Sequence, residues 1–432
     1  TLLKLPPESI DAEALLEGYG LDSIMVIHLT EQLEAHFGEL PKTLFFEYRT
    51  LRSLAQHLDG TYDRKAAQTP ARPLENASDI AIIGVAGRYP GADTLDQFWD
   101  NLRAGRDSIT EIPRDRWDHT PYFSSDKCKG KTRSKWGGFL TDVDAFDAPF
   151  FGMLPKDAEL ADPQERLFLE TSYHAIESAG HRPETLGQRV GVFVGVMYEE
   201  YQLLGVEQTL AGTPTALSGS PASIANRVSY ALDLTGPSMA VDTMCSSSLS
   251  AIHLAVRAVQ NGECEAAVAG GVNLTLHPNK YLMMAHGGFE ASDGRCCAFG
   301  AGGDGYVPSE GVGAVVLKPV DAAERDGDPI LAVIKGSAVN HGGRANGYTV
   351  PDPVAQGDAI ADALARSRVT PDEVSFVECH GTGTSLGDPI EIAGLRRAYG
   401  DTALSLGSVK ANIGHCESAA GIAGLTKLLL QL

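Results

Sequence analysis

Cys245 stands at a position of the sequence where a thiol could act as a nucleophile. "VDTMCSSSL" places it between an apolar run and a helix-like pattern, and Leu249, Ile252 and Val256 form one apolar face of that helix. At a helix N-terminus the dipole favours the thiolate, and backbone N–H groups can stabilise an oxyanion. The alternative is a buried structural cysteine, the commoner role of a lone cysteine. We assign that role to Cys128, Cys264, Cys296, Cys297, Cys379 and Cys416.

Two further stretches carry histidines in a similar setting. "VECHGTGTSLGDPIEI" contains His380, and "GSVKANIGHCES" contains Lys410 and His415. Each histidine follows an apolar run and lies in a glycine-rich turn. Functional residues of α/β folds gather at the carboxyl ends of strands, so these turns are candidate parts of the same site.

The elements around these residues predict an α/β domain. Continuous apolar runs indicate strands buried on both faces of a sheet. They cover residues 79–87, 189–197, 266–276, 313–319, 330–339 and 374–381. Helical patterns over residues 162–180, 222–234 and 388–400 alternate with them, as expected of such a fold.

Composition limits the classes of function. The 432 residues are 43% hydrophobic and 21% charged, with a net charge of −21, which makes nucleic-acid and membrane partners unexpected. Seven cysteines without a C-x-x-C pair indicate neither a zinc site nor a disulfide framework, and favour a reducing cytoplasm. No signal peptide, membrane span or phosphate-binding loop is predicted, and neither a metal nor a nicotinamide is expected.

The chain is predicted to divide at residues 61–78, a Pro- and Ala-containing linker without periodicity. Before it, a helix starts at Asp22-Ser23, carries Met25, Leu29, Leu33 and Phe37 on one face, and ends at Gly38. A serine at such a helix start is commonly only an N-cap. The segment has four basic and ten acidic residues, an acidity that suits either docking to a basic surface or solubility.

"GLDSI" followed by "LPKTLFFEYRTLRSLAQHL" resembles an acyl carrier protein of polyketide synthases. The resemblance implies that Ser23 carries 4'-phosphopantetheine, whose phosphodiester would meet the positive end of the helix. It also implies a carrier domain over residues 1–60 whose first helix is mostly missing, so we expect a piece of a longer polypeptide.

Residues 79–432 resemble the β-ketoacyl synthases of polyketide and fatty-acid synthases. "DTMCSSSL", "HGTGTSLGDP" and "KANIGH" occur in the order of the family's signature motifs, and "FGAGGDGYVPSEGVGAVVLKP" adds support. The family implies a thiolase-like α-β-α-β-α sandwich that forms a homodimer. It also implies a multifunctional enzyme of polyketide, and hence antibiotic, biosynthesis. The C-terminal part of the synthase domain is expected to be missing, which puts the activity of this piece alone in doubt.

The resemblance assigns roles to the candidate residues. Cys245 matches the acylated nucleophile, His380 and His415 match the pair that assists decarboxylation and stabilises the enolate, and Lys410 matches a supporting lysine. An acyl group from one carrier would load Cys245 and condense with malonyl on another. "VMYEEYQLLG" and "HPNKYLMM" look like synthases served by a separate acyltransferase.

Other functions remain open at this point. A synthase that only passes the chain on often lacks the histidine of H-G-T-G-T, so His380 favours elongation over that reading. Chain branching would keep all three residues. A thiolase would not need the two histidine motifs, and a non-catalytic carrier and docking module would not be acylated at Cys245.

Overall fold

The computed structural model describes residues 10–19, 23–38, 40–41, 43–60, 78–126, 128–344 and 349–432. It divides into two compact units. The first unit contains Thr1–Pro73, Gly336–Gly381 and Ser385–Ser405, and the second contains Leu74–Lys335, Thr382–Thr384 and Leu406–Leu432. Almost all of the predicted linker, residues 61–77, lies outside the described residues, so the predicted domain limits stay a prediction.

The described part of the chain forms ten strands and sixteen α-helices. The strands are β1 Ile80–Arg88, β2 Thr110–Glu111, β3 Trp136–Gly137, β4 Val190–Gly195, β5 Ser238–Val241, β6 Ala266–Asn273, β7 Gly311–Pro319, β8 Ala332–Ile334, β9 Phe376–Glu378 and β10 Ser405–Gly407. The helices are α1 Ser23–Phe37, α2 Leu44–Glu47, α3 Leu51–Leu58, α4 Leu95–Arg103, α5 Pro155–Leu160, α6 Pro163–Ser178, α7 Pro183–Leu186, α8 Tyr201–Leu210, α9 Pro221–Ala231, α10 Ser247–Gln260, α11 Asn279–Gly287, α12 Val320–Asp326, α13 Pro353–Ser367, α14 Gly387–Tyr399, α15 Lys410–Ile413 and α16 Ala420–Gln431. Short 3-10 turns cover Leu16–Tyr19, Pro371–Glu373 and Glu417–Ala419.

A six-stranded sheet in the order β5-β4-β6-β7-β1-β8 forms the centre of the second unit. β4 runs parallel to both β5 and β6, while β6–β7, β7–β1 and β1–β8 are antiparallel. Every residue of β4 and β6 is buried. The prediction of strands covered on both faces is therefore confirmed for the centre of the sheet.

Helices cover the two faces of this sheet. Successive strand residues point to opposite faces, so Ile83 and Val194 contact the helices of one face while Ile82 and Phe193 contact those of the other. The first face packs against α6 and α9, and the second against α10 and α16. The second unit is thus a three-layered α/β structure with a hydrophobic core on each side of the sheet.

Close backbone approach fixes α10 against the sheet. A Cβ atom added to Gly195, the last residue of β4, would lie 2.4 Å from the backbone nitrogen of Ser248. A side chain at residue 195 would therefore push away the first turn of α10, the helix that follows Cys245. Glycine at this position brings the helix N-terminus directly to the end of a central strand.

In the first unit, α1, α2 and α3 pack around a small apolar cluster. Its buried members are Leu16, Val26, Leu44, Phe45, Tyr48, Leu54 and Ile390. Met25, Leu29 and Leu33 pack against this cluster as predicted, and α1 ends before Gly38, whose φ is +81°. The prediction was wrong for Phe37, the last residue of α1, which is 54% exposed because the apolar cluster packs against the earlier turns of the helix.

The remaining secondary-structure predictions hold with shorter or shifted limits. The helices predicted over 162–180, 222–234 and 388–400 are α6, α9 and α14. The strand predicted over 330–339 contains only Ala332–Ile334, because β8 pairs with β1 only over these three residues. The strand predicted over 374–381 is the three-residue β9, after which the chain turns toward His380.

Candidate active site

Cys245 lies in the tight connection between β5 and α10, as the sequence predicted. Met244, just before it, has a φ of +58° in the left-handed region, which is unusual for a residue with a long side chain. The Thr243 N–H donates to Ser247 Oγ at 2.9 Å, and that hydroxyl donates to the Met244 carbonyl at 2.6 Å. These bonds hold the strained turn, so the thiol is presented immediately ahead of the helix.

Burial of Cys245 opposes thiolate formation, and a nearby carboxylate adds to this effect. Burial and the charge of Glu417 raise the pKa of the Cys245 thiol to about 12, while Lys410 acts in the opposite direction. Asp242 adds a further upward contribution. The expectation that the helix N-terminus alone favours the thiolate therefore omitted the larger effect of desolvation.

His415 is held rigidly in the same unit. It is 1% exposed, its N–H donates to the Val307 carbonyl, and its carbonyl accepts from the Ser309 N–H, both at 2.8 Å. The Tyr306 ring lies 4.8 Å from the imidazole, centroid to centroid. A ring nitrogen of His415 lies within 4.8 Å of Cys245 Sγ. The second unit therefore brings the predicted nucleophile and one predicted histidine together.

The protonation state of His415 is constrained by the backbone. Its Nδ1 accepts a hydrogen bond of 2.9 Å from the Glu417 N–H. A neutral imidazole that accepts at Nδ1 carries its proton on Nε2. His415 is thus prepared to act as a hydrogen-bond donor through Nε2.

Lys410 is the first residue of α15 and is 4% exposed. Its ammonium group lowers the pKa of both Cys245 and Cys416, against the larger effect of burial. The supporting role of Lys410 stays a prediction.

His380 belongs to the first unit, directly after β9 and Cys379. Its N–H donates to Glu391 Oε1 at 2.6 Å, and the next N–H, of Gly381, donates to Glu391 Oε2 at 2.7 Å. Glu391 lies on α14, so this helix fixes the main chain at the predicted histidine through both carboxylate oxygens. The His380 side chain is exposed to solvent.

Ser23 is the first residue of α1, a helix of 15 residues. The Gly-Leu-Asp stretch before it lies outside the described residues. A phosphodiester attached at residue 23 would meet the unpaired N–H groups and the positive dipole end of this helix. The main-chain position of Ser23 thus fits a phosphopantetheine attachment site.

The sequence reasoning missed a buried ion pair close to the thiol. Lys280 Nζ lies 2.8 Å from Glu417 Oε2, and both side chains are fully buried. Glu417 stands two residues after His415 in "NIGHCES", which was the one available signal. Lys280 is 137 residues away in the chain, and nothing in its local pattern points to Glu417.

Comparison with known families agrees with this architecture. The family model described as "Beta-ketoacyl synthase, N-terminal domain" matches residues 77–323, and its C-terminal counterpart matches residues 331–432. The model described as "Phosphopantetheine attachment site" matches residues 1–58. The chain belongs to the β-ketoacyl synthase family and carries a phosphopantetheine attachment domain before the synthase. Both resemblances predicted from the sequence are confirmed.

The curated relatives are polyketide synthases. Polyketide synthase PksL of Bacillus subtilis is 53% identical over 484 aligned residues, which cover 100% of this chain and 11% of that protein. Polyketide synthase ThaG of Burkholderia thailandensis is 54% identical over 494 aligned residues, which cover 100% of this chain and 9% of that protein. The chain thus spans about a tenth of the length of these relatives.

Solved structures confirm the fold class. The oxazolomycin ketosynthase domain OzmH KS7 of Streptomyces albus JA3453 is 57% identical with a TM-score of 0.80, covering 82% of this chain and 62% of that one. The ketosynthase from module 6 of the bacillaene synthase of Bacillus subtilis 168 is 42% identical with a TM-score of 0.75, covering 82% and 60%. The synthase part therefore has the predicted thiolase-like α/β fold. Among the helices of the described residues, none has the length and apolarity to cross a membrane.

Proposed function

We propose that the chain elongates a polyketide by decarboxylative condensation, with Cys245 as the acyl acceptor. The observation that carries the proposal is the position of Cys245 Sγ within 4.8 Å of a His415 ring nitrogen, in a turn ahead of a helix. In the first step, the thiol displaces pantetheine from an acyl thioester and gives acyl-Cys245 and a free pantetheine thiol. The N-terminus of α10 donates to the oxyanion formed during this exchange.

The second step forms the carbon–carbon bond. Malonyl on a carrier loses CO2, and the resulting enolate attacks the acyl-Cys245 carbonyl and expels the Cys245 sulfur. His415, which accepts at Nδ1 from the Glu417 N–H, donates through Nε2 to the enolate oxygen. His380 is proposed as the second donor, on the strength of its H-G-T-G-T motif. Lys410 is proposed to support the site electrostatically.

When attached, 4'-phosphopantetheine would supply a flexible thiol that carries acyl groups as thioesters. Ser23 at the start of α1 is proposed as its attachment point, in a carrier domain over residues 1–60 joined by residues 61–78 to a synthase over residues 79–432. Acyl carriers bearing acyl and malonyl thioesters are the proposed substrates. A separate acyltransferase is proposed to load malonyl, on the basis of "VMYEEYQLLG" and "HPNKYLMM".

A homodimer and a cytoplasmic location complete the proposal. β5 forms one edge of the six-stranded sheet, and the nearby Met239 and Tyr230 are 40% and 84% exposed. An edge strand beside exposed apolar side chains is suited to pairing with a second copy. All seven cysteines are free, which agrees with a reducing compartment.

Intact-protein mass spectrometry tests the nucleophile. The full chain is incubated with a small acyl thioester and should gain one acyl group, which peptide mapping should place on Cys245. Cys245→Ala should remove this acylation, whereas Cys128→Ala should leave it intact, since Cys128 is exposed and not buried as the sequence predicted. Acylation that persists in Cys245→Ala would contradict the proposal. A chain that is never acylated would favour a carrier and docking module.

A further inference from the structure

Lys280 is a charged side chain held entirely inside the second unit. Besides Glu417 Oε2 at 2.8 Å, its Nζ donates to the Leu274 carbonyl at 2.8 Å, to Thr275 Oγ1 at 3.2 Å and to Asn273 Oδ1 at 3.3 Å. The ammonium also lies 4.9 Å from the centroid of the Tyr198 ring. Three neutral acceptors and an aromatic face hold the charge in position even without the carboxylate.

Glu417 is equally buried and stands close to the reacting groups. Its backbone fixes His415, and its φ of +48° lies in the left-handed region, which costs free energy for a residue with a side chain. Its carboxylate charge acts on Cys245. The same charge acts on Glu200, Tyr198, Tyr281, Tyr306 and Cys416.

Other charged and titratable groups of the second unit also act on Cys245. Lys410 favours the thiolate and Asp242 opposes it, and Tyr198 and Tyr306 interact with the thiol electrostatically. His415, with a ring nitrogen within 4.8 Å of Sγ, accepts at Nδ1. Among these groups Glu417 is the buried carboxylate, and Lys280 is the cation bonded to it.

We propose that Lys280 and Glu417 are positioning residues for acyl transfer: Lys280 neutralises the buried Glu417 carboxylate, so that the Cys245 thiolate can form. A buried carboxylate without this partner would repel the developing negative charge on sulfur through a medium of low dielectric constant. Neither side chain reacts with substrate. This inference rests on the proposed role of Cys245 as nucleophile.

The main chain and the side chain of Glu417 together explain why an ion pair is buried here instead of two apolar residues. Its main chain must adopt the turn that donates to His415 Nδ1, while its side chain is directed into the interior. A buried ion pair contributes little net stability compared with apolar packing. Its value here is a defined electrostatic potential at the thiol, which apolar residues would not provide.

The test is the pH dependence of Cys245 alkylation by iodoacetamide, followed by peptide mass spectrometry in the full chain. Only the thiolate reacts, so the rate reports the thiolate fraction at each pH. Glu417→Gln should move the profile to lower pH, and Lys280→Met should move it to higher pH. A shift of one unit changes the rate at a fixed pH below the pKa about tenfold. The double variant should lie near the wild-type profile.

A matched control separates this effect from a general loss of structure. Lys318 is also largely buried and is paired with Asp326 and Asp328, so Lys318→Met should leave the Cys245 profile unchanged. The exposed Cys128 serves as an internal reference in every sample. Should Lys280→Met fail to fold, Glu417→Gln, which is nearly isosteric, still tests the proposal.

Two results would overturn the inference. One is an unchanged alkylation profile in folded Glu417→Gln, and the other is a shift of both single variants in the same direction. Alkylation needs no acyl thioester, so the outcome is independent of the proposed function. If no thioester acylates Cys245 but the profiles shift as expected, the nucleophile assignment fails while the electrostatic coupling of the pair to the thiol stands.

Discussion

The Glu417 N–H donates to His415 Nδ1 across 2.9 Å, and this bond is buried. It assigns the tautomer of His415 from the main chain. A neutral His415 is therefore suited to donate from Nε2, which is the requirement for stabilising an enolate oxygen.

The two steps of the proposed reaction should separate in a His380→Ala variant. Thioester exchange needs a thiolate and an oxyanion hole, whereas enolate formation needs histidine donors. In the full-length polypeptide, His380→Ala should still load acyl on Cys245 while condensation with malonyl carrier falls about 10² to 10³-fold. Mass spectrometry measures loading, and product formation measures condensation. Normal condensation by this variant would show that His380 has been assigned wrongly.

The buried carboxyl of Asp162 should make the stability of the protein depend on pH in an unusual way. Burial raises the pKa of its carboxyl from 3.8 to about 7. Burial also raises the pKa of the neighbouring Glu199 carboxyl, from 4.5 to about 8. The folded state thus binds these protons more tightly than the unfolded state does. The stabilisation is complete below about pH 4 and is lost as pH rises through 7 to 8. The melting temperature should therefore fall over this range.

Asp162→Asn should make the melting temperature less dependent on pH between 5 and 8. The amide oxygen can still accept from the Gln164 N–H, the bond of 2.8 Å by which Asp162 caps α6. Asp157→Asn, an exposed change on the neighbouring α5, serves as the control and should keep the wild-type slope. Identical slopes in all three proteins would mean that Asp162 is ionised in the folded state.

Local sequence pattern was sufficient to predict the centre of the fold and the position of Cys245 between a strand and a helix. The runs that became β4, β6 and β7 are apolar on both faces because helices cover both sides of the sheet. Cys245 could be placed at a strand–helix joint because the change from strand to helix pattern is visible in "VDTMCSSSL". These features depend on neighbours in the chain, which a sequence displays directly.

Features that depend on distant residues could not be predicted. The pKa of Cys245 follows from burial and from Glu417, and Lys280 reaches Glu417 across 137 residues. Helical periodicity also cannot show how much of an apolar helix face the neighbouring elements bury. On α10, Ile252 and Val256 are buried whereas Leu249, on the same predicted face, is 50% exposed.

Gly270 should be intolerant of any side chain because β6 and β7 approach closely at this point. A Cβ atom at residue 270 would lie 1.9 Å from the Gly313 carbonyl oxygen, so Gly270→Ala would force the two central strands apart. We expect a loss of more than about 3 kcal/mol in the free energy of unfolding, measured by urea denaturation. Gly342→Ala, where the nearest atom would be at 3.4 Å, should cost far less. Equal losses would show that the sheet adjusts at Gly270.

Ser23→Ala should uncouple the carrier from the synthase without touching the nucleophile. Because Ser23 begins α1 within the matched attachment domain, its loss should remove the mass of phosphopantetheine from the full-length polypeptide. Chain transfer from that carrier to Cys245 should then stop. A small soluble acyl thioester should still acylate Cys245, since the turn between β5 and α10 is unchanged. Ser53→Ala, a change on α3 in the same domain, should keep the cofactor and the transfer. Normal transfer in Ser23→Ala would mean that another carrier supplies the acyl group, and the carrier on this chain would then not be the donor.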